Sequence, residues 1–159
     1  MSQGILAGLR IVEGSAFVAA PLGGMTLAQL GAEVIRFDPL GGGLDARRLP
    51  VTESGSSLFW AGMNKGKKSI AIDIARPEGQ LLATRLITAP GEQAGLFLTN
   101  FPPRGWLAYE TLRAHRADLV HVNVLGDRHG GSEVDYTVNP RVGFPAITGP
   151  ADLPGPVNH

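Results

Sequence analysis

Short apolar runs of strand length alternate along this chain with longer segments whose apolar residues recur at helical spacing. The short runs predict strands over residues 9–12, 32–37, 69–74, 95–99 and 119–125. The longer segments predict helices over residues 17–30, 57–63, 77–88 and 109–115. Strands that alternate with helices favour a parallel sheet with right-handed connections. The sequence therefore predicts an α/β fold.

This regular pattern ends after Gly126. Residues 127–159 are rich in glycine and proline and show neither the helical nor the strand period. The sequence thus predicts an α/β domain at 1–126 and a loop-rich extension at 127–159. Because a domain usually ends on a docked strand or helix, the extension predicts that the fold continues in a C-terminal part beyond His159.

The composition narrows the classes of partner. The 159 residues hold 14 basic and 14 acidic side chains, and a net charge of zero argues against a nucleic-acid-binding protein. The chain has no cysteine, which excludes disulfides, thiolate metal sites and cysteine nucleophiles. No apolar stretch reaches the roughly 18 residues of a membrane span, and the first residues do not read as a signal peptide. We expect a soluble, cytoplasmic protein with no membrane contact.

The loops that follow the strands are where ligands bind in doubly wound sheets. The loop at 13–21 lacks the G-x-G-x-x-G motif of dinucleotide-binding proteins, but it opens a helix whose free N–H groups could hold an anion. Asp38 ends the second strand about where such proteins place a ribose-binding acid. A nicotinamide-binding domain of an oxidoreductase therefore stays open as an alternative, although Asp38 with Pro39 also fits an ordinary turn.

Two further segments carry binding chemistry. All three lysines lie in NKGKKS at 64–69, where they could bind phosphates or form a solvated charged turn. A P-loop is rejected, because that motif leaves a strand and enters a helix with a different spacing. After the fourth strand, the segment TNFPPRG holds Phe101, which could stack on a heterocycle, and Arg104, which could bind a phosphate or carboxylate.

No metal site and no serine-hydrolase site is predicted. His121, Asp127, His129 and Glu133 lie within one stretch, but their spacing matches no zinc signature, and His121 lies inside a strand. The chain also lacks the G-x-S-x-G turn of serine hydrolases.

Several motifs occur in the order found in one enzyme family. They are GLR at 8–10, LGAEVIRFDP at 30–39, NKGKKSIAID at 64–73, PEG at 77–79 and NF at 100–101. In these motifs the chain resembles the N-terminal part of the family III CoA-transferases along nearly its whole length. The resemblance implies a Rossmann-like parallel sheet with helices on both faces, in the incomplete N-terminal portion of a larger two-domain chain. It also implies a homodimer of full-length chains, an acyl-CoA thioester as substrate and no permanently bound cofactor.

The resemblance also implies which residues contact CoA. These residues are Phe17, Val18, Ala19, Asn64, Lys67, Asn100, Phe101 and Arg104. The first three would line the CoA channel, the next two would lie near the nucleotide, and Asn100 with Phe101 would hold the adenine or pantetheine end. The lysine segment and the NFPPR turn would then follow successive strands at one edge of the sheet.

The nucleophile expected from the resemblance is not in this chain. Members of the family use an aspartate that attacks the thioester and then carries CoA as an aspartyl thioester. In relatives this aspartate follows a segment that corresponds here to residues 147–149, and the resemblance places it beyond His159. No catalytic residue is therefore assigned. Val134 precedes Asp135 where the racemase branch of the family carries a histidine, so a racemase is disfavoured.

The motifs are most similar to the branch that moves CoA between the two carboxyl groups of one branched C4 dicarboxylate. The full-length protein is therefore expected to be an intramolecular CoA transferase, and the 159-residue segment alone to be inactive. Two other hypotheses stay open. One is the nicotinamide-binding domain, and the other is a non-catalytic truncated remnant, since the nucleophile is absent from the segment.

Overall fold

A computed structural model describes residues 4–129, 131 and 133–152 of the chain. These residues fall into two compact units, one up to Val124 and one from Leu125 onward. None of the helices in the described ranges is both long and apolar enough to cross a membrane.

The first unit holds five strands and four α-helices. The strands are β1 (Arg10–Gly14), β2 (Glu33–Asp38), β3 (Lys68–Ala71), β4 (Leu96–Thr99) and β5 (Val120–Asn123). The helices are α1 (Ala19–Gln29), α2 (Leu58–Met63), α3 (Pro77–Ile87) and α4 (Tyr109–Arg113). Each predicted element is present, with ends that differ by a few residues.

The five strands form one parallel sheet in the order β3-β2-β1-β4-β5. The predicted α/β fold is confirmed. The order reverses between β1 and β4, because the chain builds outward from β1 in one direction and then returns to continue on its other side. In sheets of this kind, ligands bind beyond the carboxyl ends of the strands at such a reversal.

Apolar side chains cover both faces of the sheet. On one face Ile11, Val34 and Leu98 pack with Ala20 of α1. The opposite face carries a larger cluster, which is Val12, Phe37, Ile72, Ala83, Ile87, Phe97, Leu107, Leu112 and Leu119. Because successive side chains of a strand point to opposite faces, β1, β2 and β4 each contribute to both clusters. Helices therefore cover both faces of the sheet, as expected.

The second unit contains a helix that the sequence pattern did not predict. Helix α5 covers Asp135–Arg141, and a short 3₁₀ helix follows at Phe144–Ile147. None of the α5 side chains is buried, and Pro140 lies inside the helix. A short helix with no apolar stripe and an internal proline gives no helical period, which is why the pattern missed it.

The packing of α3 yields a first prediction. Ile87 is fully buried against the sheet, whereas Leu82 on the same helix is 50% exposed. Ile87→Ala should lower the free energy of unfolding by about 2–5 kcal/mol, because it leaves a cavity in the core. Leu82→Ala is the matched control, with an expected change within about 0.5 kcal/mol in urea unfolding. Equal losses for the two variants would contradict this packing.

The buried side of β5 yields a pH prediction. The His121 ring lies 5.0 Å from the Phe97 ring and 6.2 Å from the Tyr109 ring, measured between centroids. Burial lowers the pKa of His121 below its ordinary value. The unfolded chain then binds a proton near pH 6.5 that the folded chain resists, so the free energy of unfolding falls as the pH drops through that value.

His121→Phe keeps a ring at this position but cannot be protonated. The variant should lose less free energy of unfolding than the original chain between pH 7.5 and pH 5.5, as measured by urea unfolding at both values. Parallel losses in the two proteins would show that His121 does not cause the pH dependence.

Candidate functional site

The reversal of strand order brings the loops after β1 and β4 side by side. Thr99 Oγ1 donates a hydrogen bond of 2.6 Å to the carbonyl of Gly14 and accepts one of 2.9 Å from the N–H of Phe101. Asn123 Nδ2 donates to the carbonyl of Phe101 at 3.0 Å. These bonds tie the ends of β1, β4 and β5 together, so the loop that carries Phe101 starts from a fixed position.

The backbone turn between β1 and α1 is strained. Phe17 has a φ of 65°, in the left-handed region that residues other than glycine seldom adopt. This conformation costs an L-residue about 1–2 kcal/mol. Such strain persists only where the surroundings impose it, and it concentrates at functional sites.

Side chains from three other segments hold this turn, two of them buried and one partly buried. Arg36 Nη2 donates to the carbonyl of Ser15 at 2.9 Å, and Asp45 Oδ2 accepts from the N–H of Phe17 at 3.0 Å. Asn100 accepts from the N–H of the intervening residue at 2.9 Å and donates to its carbonyl at 2.8 Å. Together these bonds occupy the main-chain groups of the turn and leave the Phe17 side chain, 43% exposed, at the surface.

A buried ionic cluster lies beneath the turn, with Arg36 at its centre. Arg36 and Glu13 are fully buried, although both sit on strands that also contribute to the apolar core. The guanidinium binds both oxygens of Asp38 at 2.8–3.1 Å and lies 3.3 Å from Glu13 and 3.6 Å from Asp45. Burial opposes the charge of Arg36, but the hydrogen bonds and charges of these three carboxylates outweigh it and raise the pKa of the guanidinium.

Lys67 completes the buried cluster. Its ammonium lies 2.8 Å from Glu13 Oε2 and donates to Asn64 Oδ1 and to the carbonyl of Pro21, each at 2.8 Å. Burial lowers the pKa of Lys67, and the ion pair with Glu13 limits the decrease. Helix α1 passes so close to Glu13 that a Cβ at Gly24 would overlap the carboxylate. The sequence accordingly has glycine where the helix crosses the ion pair.

The structure separates the lysines, which the sequence grouped as one phosphate-binding segment. The segment joins α2 to β3, so it enters the sheet at the amino end of β3, and the expectation that it follows a strand is wrong. Lys68 forms an exposed ion pair with Glu33, and the donors of Lys67 are taken up by protein acceptors. Lys65 is exposed.

The other predicted CoA contacts fall into two groups. Four of them are exposed to solvent. Three are consecutive residues where α1 begins, namely Phe17, Val18 and Ala19, and the fourth is Arg104, after β4. The remaining residues are partly or fully buried and bonded within the protein; they are Asn64, Lys67, Asn100 and Phe101. The first group is thus exposed to solvent, and the second group is held within the protein.

The geometry of Asp38 bears on the nicotinamide hypothesis. Asp38 is 6% exposed, and both its carboxylate oxygens accept hydrogen bonds from Arg36. A ribose-binding acid must offer its carboxylate to a ligand. This geometry does not fit that role.

Sequence reasoning missed the residues that organise the site. It singled out neither Glu13, Arg36 nor Asp45 as site residues. A signal was present for Arg36, because a charged residue in the middle of a buried strand must have a buried partner. Glu13 gave no such signal, since the pattern of apolar residues ended the first strand at Val12. Nothing in the sequence gives the partner of Asp45, which lies in a glycine-rich loop far from Phe17 along the chain.

Comparison with known proteins gives concordant results. The sequence model of CoA-transferase family III matches residues 6–158. The chain is 72% identical over 158 residues to 2-methylfumaryl-CoA isomerase of Chloroflexus aurantiacus, covering 99% of the chain and 39% of that protein. It is 33% identical over 163 residues to succinate–glutarate CoA-transferase of Agrobacterium fabrum, covering 92% of the chain and 40% of that protein.

A solved structure is also similar. The crystal structure of a CaiB/BaiF family protein from Brucella suis superposes with a TM-score of 0.81 at 28% identity, covering 98% of the chain and 44% of that structure. The chain therefore spans about two fifths of the length of the relatives it matches.

The ion pair of Glu13 with Lys67 yields a prediction on stability. Breaking a buried pair leaves an uncompensated charge, so Glu13→Gln and Lys67→Met should each lower the free energy of unfolding by about 3–5 kcal/mol. The double variant should lose clearly less than the sum, because neither charge is then left alone. Urea unfolding of the four proteins measures this coupling.

Lys68→Met is the matched control for that cycle. It removes a lysine whose ion pair with Glu33 is exposed, so the expected loss is below about 1 kcal/mol. Losses that simply add in the double variant would show that Glu13 and Lys67 do not act as a pair.

Proposed function

Because the chain belongs to CoA-transferase family III, we propose that it forms the N-terminal part of an enzyme that moves CoA between the two carboxyl groups of 2-methylfumaryl-CoA (mesaconyl-CoA). The observation that carries the proposal is the 72% identity to 2-methylfumaryl-CoA isomerase, against 33% to the succinate–glutarate CoA-transferase. The acyl-CoA thioester is thus the substrate, and no resident cofactor takes part.

The proposed chemistry needs a carboxylate nucleophile. An aspartate attacks the thioester carbonyl, which forms a mixed anhydride and releases the CoA thiolate. The thiolate then attacks the aspartyl carbonyl, which gives an aspartyl-CoA thioester and frees the acyl carboxylate. The other carboxylate of the same acid attacks this thioester, and CoA returns to it through a second anhydride. In the proposal this aspartate lies beyond His159, as the resemblance to the family implies. Asp38 and Asp45 are both engaged by Arg36.

The start of α1, directly after the strained turn, would supply donors for this chemistry. In the proposal, the exposed residues Phe17, Val18 and Ala19 line the channel for CoA, and the unpaired N–H groups at the start of α1 face negative charge that develops on the substrate. Arg36, Asp45 and Asn100 hold these groups in position from below. Preorganised donors stabilise an oxyanion without having to reorient during the reaction.

The loop after β4 would contact the distal part of CoA. Phe101 is half-buried against the core and anchored by Thr99 and Asn123, and Arg104 is exposed beyond it. A fixed aromatic ring and a free guanidinium suit a heterocycle and a phosphate. In this proposal Lys67 does not contact CoA but stabilises the buried cluster through its ion pair with Glu13. The full-length protein would work as a cytoplasmic homodimer.

The experiment uses the full-length protein with 2-methylfumaryl-CoA. The position of the thioester is followed by liquid chromatography with mass spectrometry, in the presence of isotopically labelled free acid. We expect CoA to migrate between carboxyl groups without uptake of label. Failure of the isomer to appear, or a requirement for the added acid, would contradict the proposal.

Asn100→Ala tests, in the same assay, whether the turn before Phe17 contributes to activity. It removes both hydrogen bonds that hold the turn before Phe17, so kcat/KM should fall at least about tenfold. Asn139→Ala, in the second unit and with no hydrogen bond from its side chain in the described residues, is the matched control and should keep its activity. Equal activity of the two variants would show that the hydrogen bonds of Asn100 are not needed for the reaction.

A further inference from the structure

Arg48 lies against the exposed ring of the strained turn. Its guanidinium carbon is 5.8 Å from the centroid of the Phe17 ring and 4.4 Å from that of Phe59 on α2. A cation over two aromatic rings is favourable in itself, and the two contacts restrict where the guanidinium can lie. The Arg48 residue is exposed to solvent at this point, beside Phe17.

The backbone of Arg48 is tied to the same two elements. Its carbonyl accepts a hydrogen bond of 2.5 Å from Ser57 Oγ, and Ser57 also caps α2 by accepting from the N–H of Trp60. Its N–H donates to the carbonyl of Asp45, whose side chain holds the N–H of Phe17. The backbone of Arg48 is therefore held by hydrogen bonds, and its guanidinium by two aromatic rings.

The donors of this guanidinium have no acceptor among the residues that the structure describes. Within the residues that the structure describes, Arg48 forms no ion pair and its side chain makes no hydrogen bond. The nearby acids do not serve it, because Asp38 and Asp45 point to Arg36. A positioned guanidinium with free donors next to the proposed channel is suited to bind a carboxylate with two parallel hydrogen bonds.

We propose that Arg48 binds the free carboxylate of a dicarboxylic acyl-CoA substrate and so selects dicarboxylic over monocarboxylic acyl groups. The inference rests on the proposed function, in which the acyl group carries a second carboxylate next to Phe17. Arg48 then acts as a substrate-binding residue. It recognises the end of the acyl chain that the thioester does not occupy, and the exposed Phe17 ring forms the wall between the two ends.

The test separates the acyl carboxylate from the phosphates of CoA. Succinyl-CoA and butyryl-CoA share a four-carbon acyl chain and all CoA phosphates, but only succinyl-CoA has a free carboxylate. Their dissociation constants are measured by calorimetry with the full-length protein and its Arg48→Gln variant. We expect the variant to bind succinyl-CoA about ten- to hundredfold more weakly, and butyryl-CoA within about twofold of the original affinity.

Two further variants complete the design. Arg47→Gln removes the exposed neighbouring arginine and should leave both affinities unchanged. Arg48→Lys keeps the charge but not the planar pair of donors, so it should bind succinyl-CoA with intermediate affinity. If Arg48→Gln fails to fold, as judged by circular dichroism, the lysine variant alone carries the comparison.

The outcomes distinguish this inference from the proposed function. An equal loss of affinity for succinyl-CoA and butyryl-CoA would place Arg48 on a CoA phosphate and overturn the inference, as would no loss for either. Because the measurement is of binding, it holds even if the protein does not isomerise 2-methylfumaryl-CoA. That result would overturn the proposed function and leave the carboxylate-binding role of Arg48 to be judged by the calorimetry.

Discussion

The carboxyl edge of this sheet depends on one buried guanidinium, that of Arg36. Burying a charge is costly unless it is paired and hydrogen-bonded, and here the partners are Glu13, Asp38 and Asp45. Without the cation, three carboxylates would face one another in a site that excludes water. The Arg36 guanidinium also donates a hydrogen bond to the carbonyl of Ser15, so it holds the start of the strained turn as well. One side chain thus links two strands and a loop to the same place.

The site consists of a buried layer and an exposed layer with different tasks. In the buried layer two cations, Arg36 and Lys67, face three carboxylates, so the layer offers no unmatched positive charge to a ligand. In the proposed function, anionic groups of the substrate are bound by the exposed layer, which holds the ring of Phe17 and the guanidinium groups of Arg48 and Arg104.

Much of the fold could be predicted from the sequence, and less of the site. The spacing of apolar residues such as Phe97 predicts which side chains are buried. That spacing follows from the local geometry of strands and helices alone. The site depends on pairings between distant segments. The resemblance singled out Asn100 and Lys67, but it did not give their bonds to the turn and to Glu13. The hydrogen bond between Asp45 and Phe17 could not be predicted from the nearby sequence, because an acidic residue in a loop and an exposed aromatic residue are common in any sequence.

The hydrogen bonds between Asn100 and the turn before Phe17 affect the order in which the first unit folds. Asn100 holds a residue that precedes it by 84 positions, and β1 pairs with β4 over a similar separation. A ribosome has therefore made β2, β3 and three helices before the partner of the turn exists. Contacts so far apart form slowly, because the ends of a long loop must first meet. The turn near the beginning of the chain is thus among the last parts of this unit to become ordered during synthesis.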